Sequence, residues 1–174
     1  HGAQERCNGL DDNCVHGADE EGATECKTWY YDADGDSFGA VSPPGGEPAT
    51  KCLCEPGGPY RGRNGGDCDD GTGSINPSAK ERCNGFDDNC DGYVDPEGSE
   101  GSQIFYRDRD KDTYGVTDDF KELCLPTGKY TATRGEDCND QRADVRPGVI
   151  ELCNGRDDDC DARIDVDTGD CQIF

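Results

Sequence analysis

The segment ERCNGLDDNC beginning at Glu5 returns as ERCNGFDDNC at Glu81 and as ELCNGRDDDC at Glu151. A chain made of near-copies of one unit folds as a row of similar modules rather than around one large core. The offsets are 81 − 5 = 76 and 151 − 81 = 70 residues, so the first unit is six residues longer than the second. Internal distances locate the surplus. Cys7 to Asp32 and Cys83 to Asp108 both span 25 positions, Cys54 to Cys68 and Cys124 to Cys138 both span 14, and Cys68 to Cys83 and Cys138 to Cys153 both span 15. The slack therefore falls in the Pro/Gly-rich stretch at about 40–52, which reads as an exposed loop. Three regions follow: repeat 1 over 1–80, repeat 2 over 81–150 and a truncated repeat 3 over 151–174, where GDCQIF aligns with GSQIF at 101–105.

Apolar burial cannot be the main glue of such modules. Hydrophobic residues make up 30% of the 174, and that share includes all 13 cysteines. The 40 acidic against 17 basic residues leave a net charge of −23, which argues against nucleic acid and anionic membranes as partners. No apolar run reaches the ~20 residues of a membrane helix, so no membrane insertion is expected. Small chains poor in core are ordered by cross-links or metal ions, and both are on offer here. Abundant cysteine without methionine suggests a trimmed, exported chain in an oxidising place, extracellular or at the cell surface. The aromatic runs TWYY and QIFY predict short strands paired in hairpins, with helix limited to single turns near the CNG segments. The expected fold is a small disulfide-rich, calcium-stabilised tandem repeat, mostly loops with short β-hairpins and single helical turns, and elongated.

Carboxylates recur at alternate positions in Asp32, Asp34 and Asp36, followed by Phe38, and again in Asp108, Asp110 and Asp112, followed by Tyr114. Alternate side chains of a curled loop can converge on one cation, with the aromatic residue turning its carbonyl inward, as in the first half of a calcium loop. A second loop type overlaps the CNG segment: Asp87, Asn89 and Asp91, the sharp-turn Gly92, the carbonyl of Tyr93, then Asp95. Repeat 3 keeps Asp157, Asp159, Asp161, Arg163 at the carbonyl position, and Asp165, with Ala162 in place of Gly. Repeat 1 has only Asp11, Asn13 and Asp19, and its site is expected to be weak or empty. A third type runs from Asp70 to Glu81 and from Asp140, through Asp144, to Glu151, putting the Glu at position 12 of a calcium loop. Asp67 and Asp69, or Asp137 and Asn139, lie where they can reach back to the Asp32 or Asp108 loop. Three carboxylates within ~5 Å of one another repel by roughly 0.8 kcal/mol per pair even at the dielectric of water. Oxygen donors without imidazole favour several Ca²⁺ ions over zinc or copper.

Spacing suggests disulfides within each CNG segment, Cys7–Cys14, Cys83–Cys90 and Cys153–Cys160, together with Cys54–Cys68 and Cys124–Cys138; of the three cysteines left over, Cys26–Cys52 is the expected intrachain pair. The odd total leaves Cys171 as the candidate for an interchain bond.

The combination CNGxDDNCDG, D-x-D-x-D-x-(Y/F)-G and DC-(D/N)-D resembles the MopE-type metal-binding repeat of secreted and surface proteins of bacteria, and more distantly the thrombospondin type 3 calcium repeats. The resemblance implies metal binding outside the cell. It also raises copper as an alternative cation, which in that family is associated with histidine and modified tryptophan; His1, His16 and Trp29 are the residues available for it. The functional expectation is a non-enzymatic secreted calcium-binding structural protein that partners with itself in a filament, surface layer or matrix. The competing expectation is a secreted adhesion or ligand-binding module, or a copper-binding surface protein.

Overall fold

The computed structural model describes residues 2–166. The chain divides into two compact units, one formed by His1–Glu81 with Phe86–Val94 and the other by Arg82–Gly85 with Asp95–Phe174.

In the first unit the aromatic run forms strand β1 (Lys27–Tyr31), central in a three-stranded sheet. On one side lies β3 (Thr50–Leu53), antiparallel, in the register Lys27↔Leu53 to Tyr30↔Thr50; on the other lies β4 (Tyr60–Gly62). Two short strands, β2 (Phe38–Ala40) and β5 (Asn64–Asp67), pair in parallel beside it. Gly39 is required there for steric reasons, because a Cβ on it would meet the Tyr30 Cβ and come within 2.7 Å of the Tyr31 carbonyl oxygen. In the second unit β6 (Gln103–Arg107) is flanked by β7 (Phe120–Leu123) and β8 (Tyr130–Ala132). Its register, Gln103↔Leu123 to Tyr106↔Phe120, is that of β1 with β3 shifted by 76 on one strand and 70 on the other. The six-residue difference is taken up by the loop between β2 and β3.

Two expectations are corrected here. The aromatic strand does not fold into a simple hairpin with its neighbour; it sits between two later strands, because the Asp-rich loop sends the chain into the separate β2–β5 pair. The helical turn among the described residues is a 3₁₀ turn at Pro44–Gly46, in the Pro/Gly-rich loop and not at a CNG segment. The CNG segments instead make turns closed by side chains. Asp19, Asp95 and Asp165 each accept the N–H groups of the Asn-Gly pair ten to eleven residues earlier, at 2.8–3.1 Å.

Among the described residues eight apolar side chains are buried, Trp29, Tyr60 and Ile75 chief among them in the first unit and Phe105 and Val145 in the second. Eleven polar or charged residues are equally buried, so the interior holds more polar groups than apolar ones and must be ordered by other means. Disulfides supply part of it: Cys7–Cys54, Cys26–Cys52, Cys68–Cys90, Cys83–Cys124 and Cys138–Cys160. Cys26–Cys52 is as expected, whereas the pairs read from spacing do not form. The two cysteines of a CNG segment face different neighbours. The first is held against its own module by a backbone hydrogen bond, Cys7 N–H to Thr24 O at 3.1 Å and Cys83 N–H to Glu100 O at 3.0 Å, and reaches the end of the edge strand. In the second and third CNG segments the second cysteine, Cys90 or Cys160, reaches back to the DC-(D/N)-D segment at Cys68 or Cys138. Cys153 is also disulfide-bonded, and since Cys160 is taken by Cys138 the expected Cys153–Cys160 bond does not form. Cys14 is the free, exposed thiol among the described residues; Cys171 lies outside them. These cross-links suit an oxidising, extracellular environment, and no helix among the described residues is long and apolar enough to cross a membrane.

Candidate metal centres

Two kinds of acidic cluster form. The first is built where the Asp-rich loop leaves the aromatic strand. Asp32, Asp34 and Asp36 place carboxylate oxygens within 4.8 Å of one another, and Asp34, Asp67 and Asp70 do the same. The loop curls because its own carboxylates bind its backbone: Asp32 accepts the N–H groups of Gly35 (2.6 Å) and Ser37 (3.2 Å), Asp34 that of Asp36, and Asp36 that of Phe38. Asp67, at the end of β5, and Asp70 come in from the DC-D segment, Asp70 accepting the Ala33 N–H at 2.8 Å. In the second unit Asp108, Asp110 and Asp112 converge likewise. Asp108 accepts Lys111 N–H at 2.6 Å and Thr113 N–H at 3.3 Å.

The second kind lies on the CNG segment, where Glu151, Asp157 and Asp159 gather within 4.8 Å. In repeat 2 the equivalent Glu81 accepts the Asn89 N–H at 2.8 Å. Asp87 and Asn89 both accept the Asp91 N–H, as Asp157 and Asp159 both accept that of Asp161. Asp91 and Asp161 receive the N–H groups of Tyr93 and Arg163.

The structure thus divides the residues differently from the sequence reading. The Asp70–Glu81 and Asp140–Glu151 segments do not close as twelve-residue calcium loops: each Asp joins the strand loop and each Glu joins the following CNG segment. Asp95 and Asp165 are spent on the Asn-Gly turns. Asp69 accepts only a long bond from Gly71, and Asp144 lies exposed in an ion pair with Arg142. Asn139 donates its N–H to Asp137, as Asp69 does to Asp67. In repeat 1 both oxygens of Glu5 are occupied by N–H groups of Asp12, Asn13 and Asp19, and among the described residues no acidic cluster gathers at Asp11. Position 12 of a loop could not reveal that Glu81 and Glu151 belong to the motif downstream. Their fixed place two residues before each CNG cysteine was the available signal.

What marks these clusters as cation sites is the set of buried side-chain atoms without a hydrogen bond. Among the described residues every one is a carboxylate oxygen, on Glu20, Asp34, Asp36, Asp67, Asp70, Glu81, Asp110, Asp112, Asp137 and Glu151. Unpaired buried polar atoms are scarce in native proteins, and a group of them calls for a partner such as an ion or a water. Asp67 is 1% exposed, and burial pushes its carboxyl up to about 6, with the nearby Asp36, Asp34 and Asp70 adding to the effect and the Asp69 N–H opposing it. Burial is also the largest cause of the upward shifts of Asp34, Asp70, Asp110 and Asp137. A cation held by Asp32, Asp34, Asp36, Asp67 and Asp70, or by their counterparts, would supply the missing partner and the opposite charge. No imidazole or thiolate enters the clusters among the described residues, so the donor set is hard oxygen. Trp29 is committed to the core: its indole N–H bonds Leu53 O at 3.2 Å and the Arg63 guanidinium lies 3.7 Å over its ring. His16 is exposed, and His1 lies outside the described residues.

Residues 1–20, 67–96 and 137–165 match the family model Cu-binding MopE, described as a "putative metal-binding motif". The chain is thus similar to that motif in three regions, each of which contains a CNG segment. The Asp32 and Asp108 loops lie outside the matched residues. No characterised protein and no solved structure matches the chain.

Proposed function

We propose that the protein is a secreted, non-enzymatic calcium-binding scaffold whose modules are rigidified by Ca²⁺ and disulfides. The observation that carries this reading is the convergence of buried carboxylate oxygens that have no hydrogen-bond partner. Such oxygens repel one another in the bare protein and become ligands once a cation arrives. Calcium is favoured over copper because the donors are carboxylates on flexible loops, which suit a large ion of loose geometry. Binding to the folded state alone stabilises it in proportion to the logarithm of free calcium, so folding and loading are linked. An array stiffened in this way suits a subunit of an extracellular filament, surface layer or matrix built from copies of itself.

The test is calcium titration of disulfide-intact protein by calorimetry and thermal melting, with copper and magnesium in parallel. Several equivalents of calcium bound and a melting temperature that rises with free calcium are expected. A melting curve identical in calcium and in EDTA removes the proposal; preferential stabilisation by copper transfers it to the copper-binding alternative. Electron microscopy with and without chelator tests the filament.

A further inference from the structure

The two strand-loop clusters use the same five positions: Asp32, Asp34, Asp36, Asp67 and Asp70 in the first unit and Asp108, Asp110, Asp112, Asp137 and Asp140 in the second. Each has one arginine at 3.8 Å from a loop carboxylate, Arg61 beside Asp32 and Arg146 beside Asp112, so these two cations balance between the units. The fifth carboxylate differs. Asp70 Oδ1 accepts the Ala33 N–H, while its Oδ2 is buried and has no hydrogen-bond partner. Asp140 Oδ1 accepts the Arg109 N–H at 2.7 Å, but its Oδ2 is bound by Arg107 Nε at 2.8 Å, and Arg107 is held in turn by Asp119 at 3.0 Å. The residue equivalent to Arg107 in the first unit is Tyr31, since 31 + 76 = 107. Accordingly two overlapping groups of converging oxygens share Asp34 at the first unit's strand loop, whereas at the second unit's strand loop, among the described residues, the group is Asp108, Asp110 and Asp112. Asp67, nine-tenths buried and more, aims an unpartnered oxygen into the group that the second unit lacks.

We propose that the first unit's strand-loop site is binuclear, holding two divalent cations bridged by Asp34, and that in the second unit the guanidinium of Arg107 stands in for the second cation. This rests on the calcium reading above. Charge is consistent with it. Five carboxylates and Arg61 give −5 + 1 = −4, which two divalent cations bring to zero. In the second unit Arg107 also carries Asp119, so the contrast between the units rests on the occupied Oδ2 of Asp140 and not on net charge. The Asp34 carboxylate has an oxygen for each ion: Oδ1 carries only the Asp36 N–H and Oδ2 is unpartnered. Tyr31 and Arg107 are therefore the residues that set how many cations each unit takes.

The measurement is calcium stoichiometry of the full chain by equilibrium dialysis with elemental analysis, for the wild type, Asp70→Asn, Asp140→Asn and Arg107→Tyr. The amide introduced by Asp70→Asn can still accept the Ala33 N–H, so the loop is retained. Asp70→Asn is expected to bind one calcium fewer, Asp140→Asn the same number, and Arg107→Tyr one more. Equal losses from Asp70→Asn and Asp140→Asn, or no gain in a folded Arg107→Tyr, overturn the inference while leaving the calcium reading intact. A wild-type chain that takes up no calcium overturns that reading itself. Should Asp70→Asn misfold by circular dichroism, the gain or its absence in Arg107→Tyr decides.

Discussion

The two units carry one backbone plan in matched register, yet they settle the same electrostatic problem by different means. In the first, five acidic side chains face each other with a single arginine near them, and the strand pair is pinned by Cys26–Cys52. In the second, Ser102 and Glu122 stand at the positions of that disulfide, and Arg107 clamps Asp140 and Asp119. The first unit has an extra staple beside its central strand and is left open to an external cation; the second, stapled by Cys83–Cys124 and Cys138–Cys160, carries more of its counter-charge in the chain. A repeat of this kind can thus vary its demand for metal without altering its fold, because the cation and the guanidinium fill the same electrostatic role.

The largest test of that comparison is to make the first unit resemble the second. Replacing Cys26 and Cys52 by Ser opens a cross-link of sequence separation 26, which is worth about 3 kcal/mol on chain-entropy grounds. In EDTA the first unit should then melt well below its wild-type temperature while the second is unmoved, giving two separate transitions in calorimetry. Calcium should recover most of the loss. A variant that melts like the wild type in EDTA would show that the staple adds nothing beyond Cys7–Cys54.

Next in size is the buried charge itself. Asp67 has its carboxyl at about 6 in the folded unit against an ordinary value of 3.8 in the unfolded chain. The folded state holds this proton more tightly, so the contribution of Asp67 to the stability of the metal-free unit is fully present below pH 3.8 and is lost as pH climbs through about 6. At pH 7 in EDTA, Asp67→Asn should therefore be more stable than the wild type by on the order of 2 kcal/mol. With calcium the order should reverse, because the variant has lost a ligand. Calcium affinity of the wild type should fall as pH drops below about 6, with proton release on binding visible in calorimetry run in buffers of different ionisation heat. A variant that is destabilised in EDTA would make Asp67 a structural hydrogen-bonding group and not a ligand held in readiness.

Much of this could be read from the chain before any coordinates. Alternation in Asp32, Asp34 and Asp36 dictates a local curl, and a local curl is visible in sequence. Cysteine-to-cysteine distances placed the six extra residues in the loop that does hold them. The failures are all tertiary. Glu81 sits eleven positions after Asp70, as a calcium loop requires, but the turn at Ile75 and Asn76 separates the two: Asn76 donates its N–H to Asp88 O at 2.9 Å, carrying Glu81 onto the next CNG segment. Cys7 and Cys14 are close in sequence, yet Cys7 bonds the distant Cys54 and Cys14 stays a free, exposed thiol. Gly39 looks like a turn residue, but its backbone is extended and its smallness serves the contact with Tyr30. Counting residues along a chain detects neither a clamp from a distant side chain nor the approach of a second strand.

The smallest effect concerns the loop backbone on which both sites rest. Gly35 and Lys111 occupy the same position, both left-handed, with φ of 88° and 66°, and both donate an N–H to the first Asp of the loop at 2.6 Å. Glycine adopts that conformation without a Cβ penalty, whereas a lysine bears a strain of about 1 kcal/mol or more, offset in part by its smaller loss of backbone entropy on folding. Lys111→Gly should therefore raise the stability of the second unit by about 0.5–1 kcal/mol in EDTA. Gly35→Lys should cost the first unit at least as much, since a Cβ there also comes within 3.4 Å of the Arg61 guanidinium and sets a second cation beside the first. The added positive charge should weaken calcium binding in the first unit as well, and removal of Lys111 should strengthen it in the second. If both substitutions shift melting temperature but leave calcium affinity untouched, backbone strain alone distinguishes the two loops and their charge at this position is irrelevant to the ion.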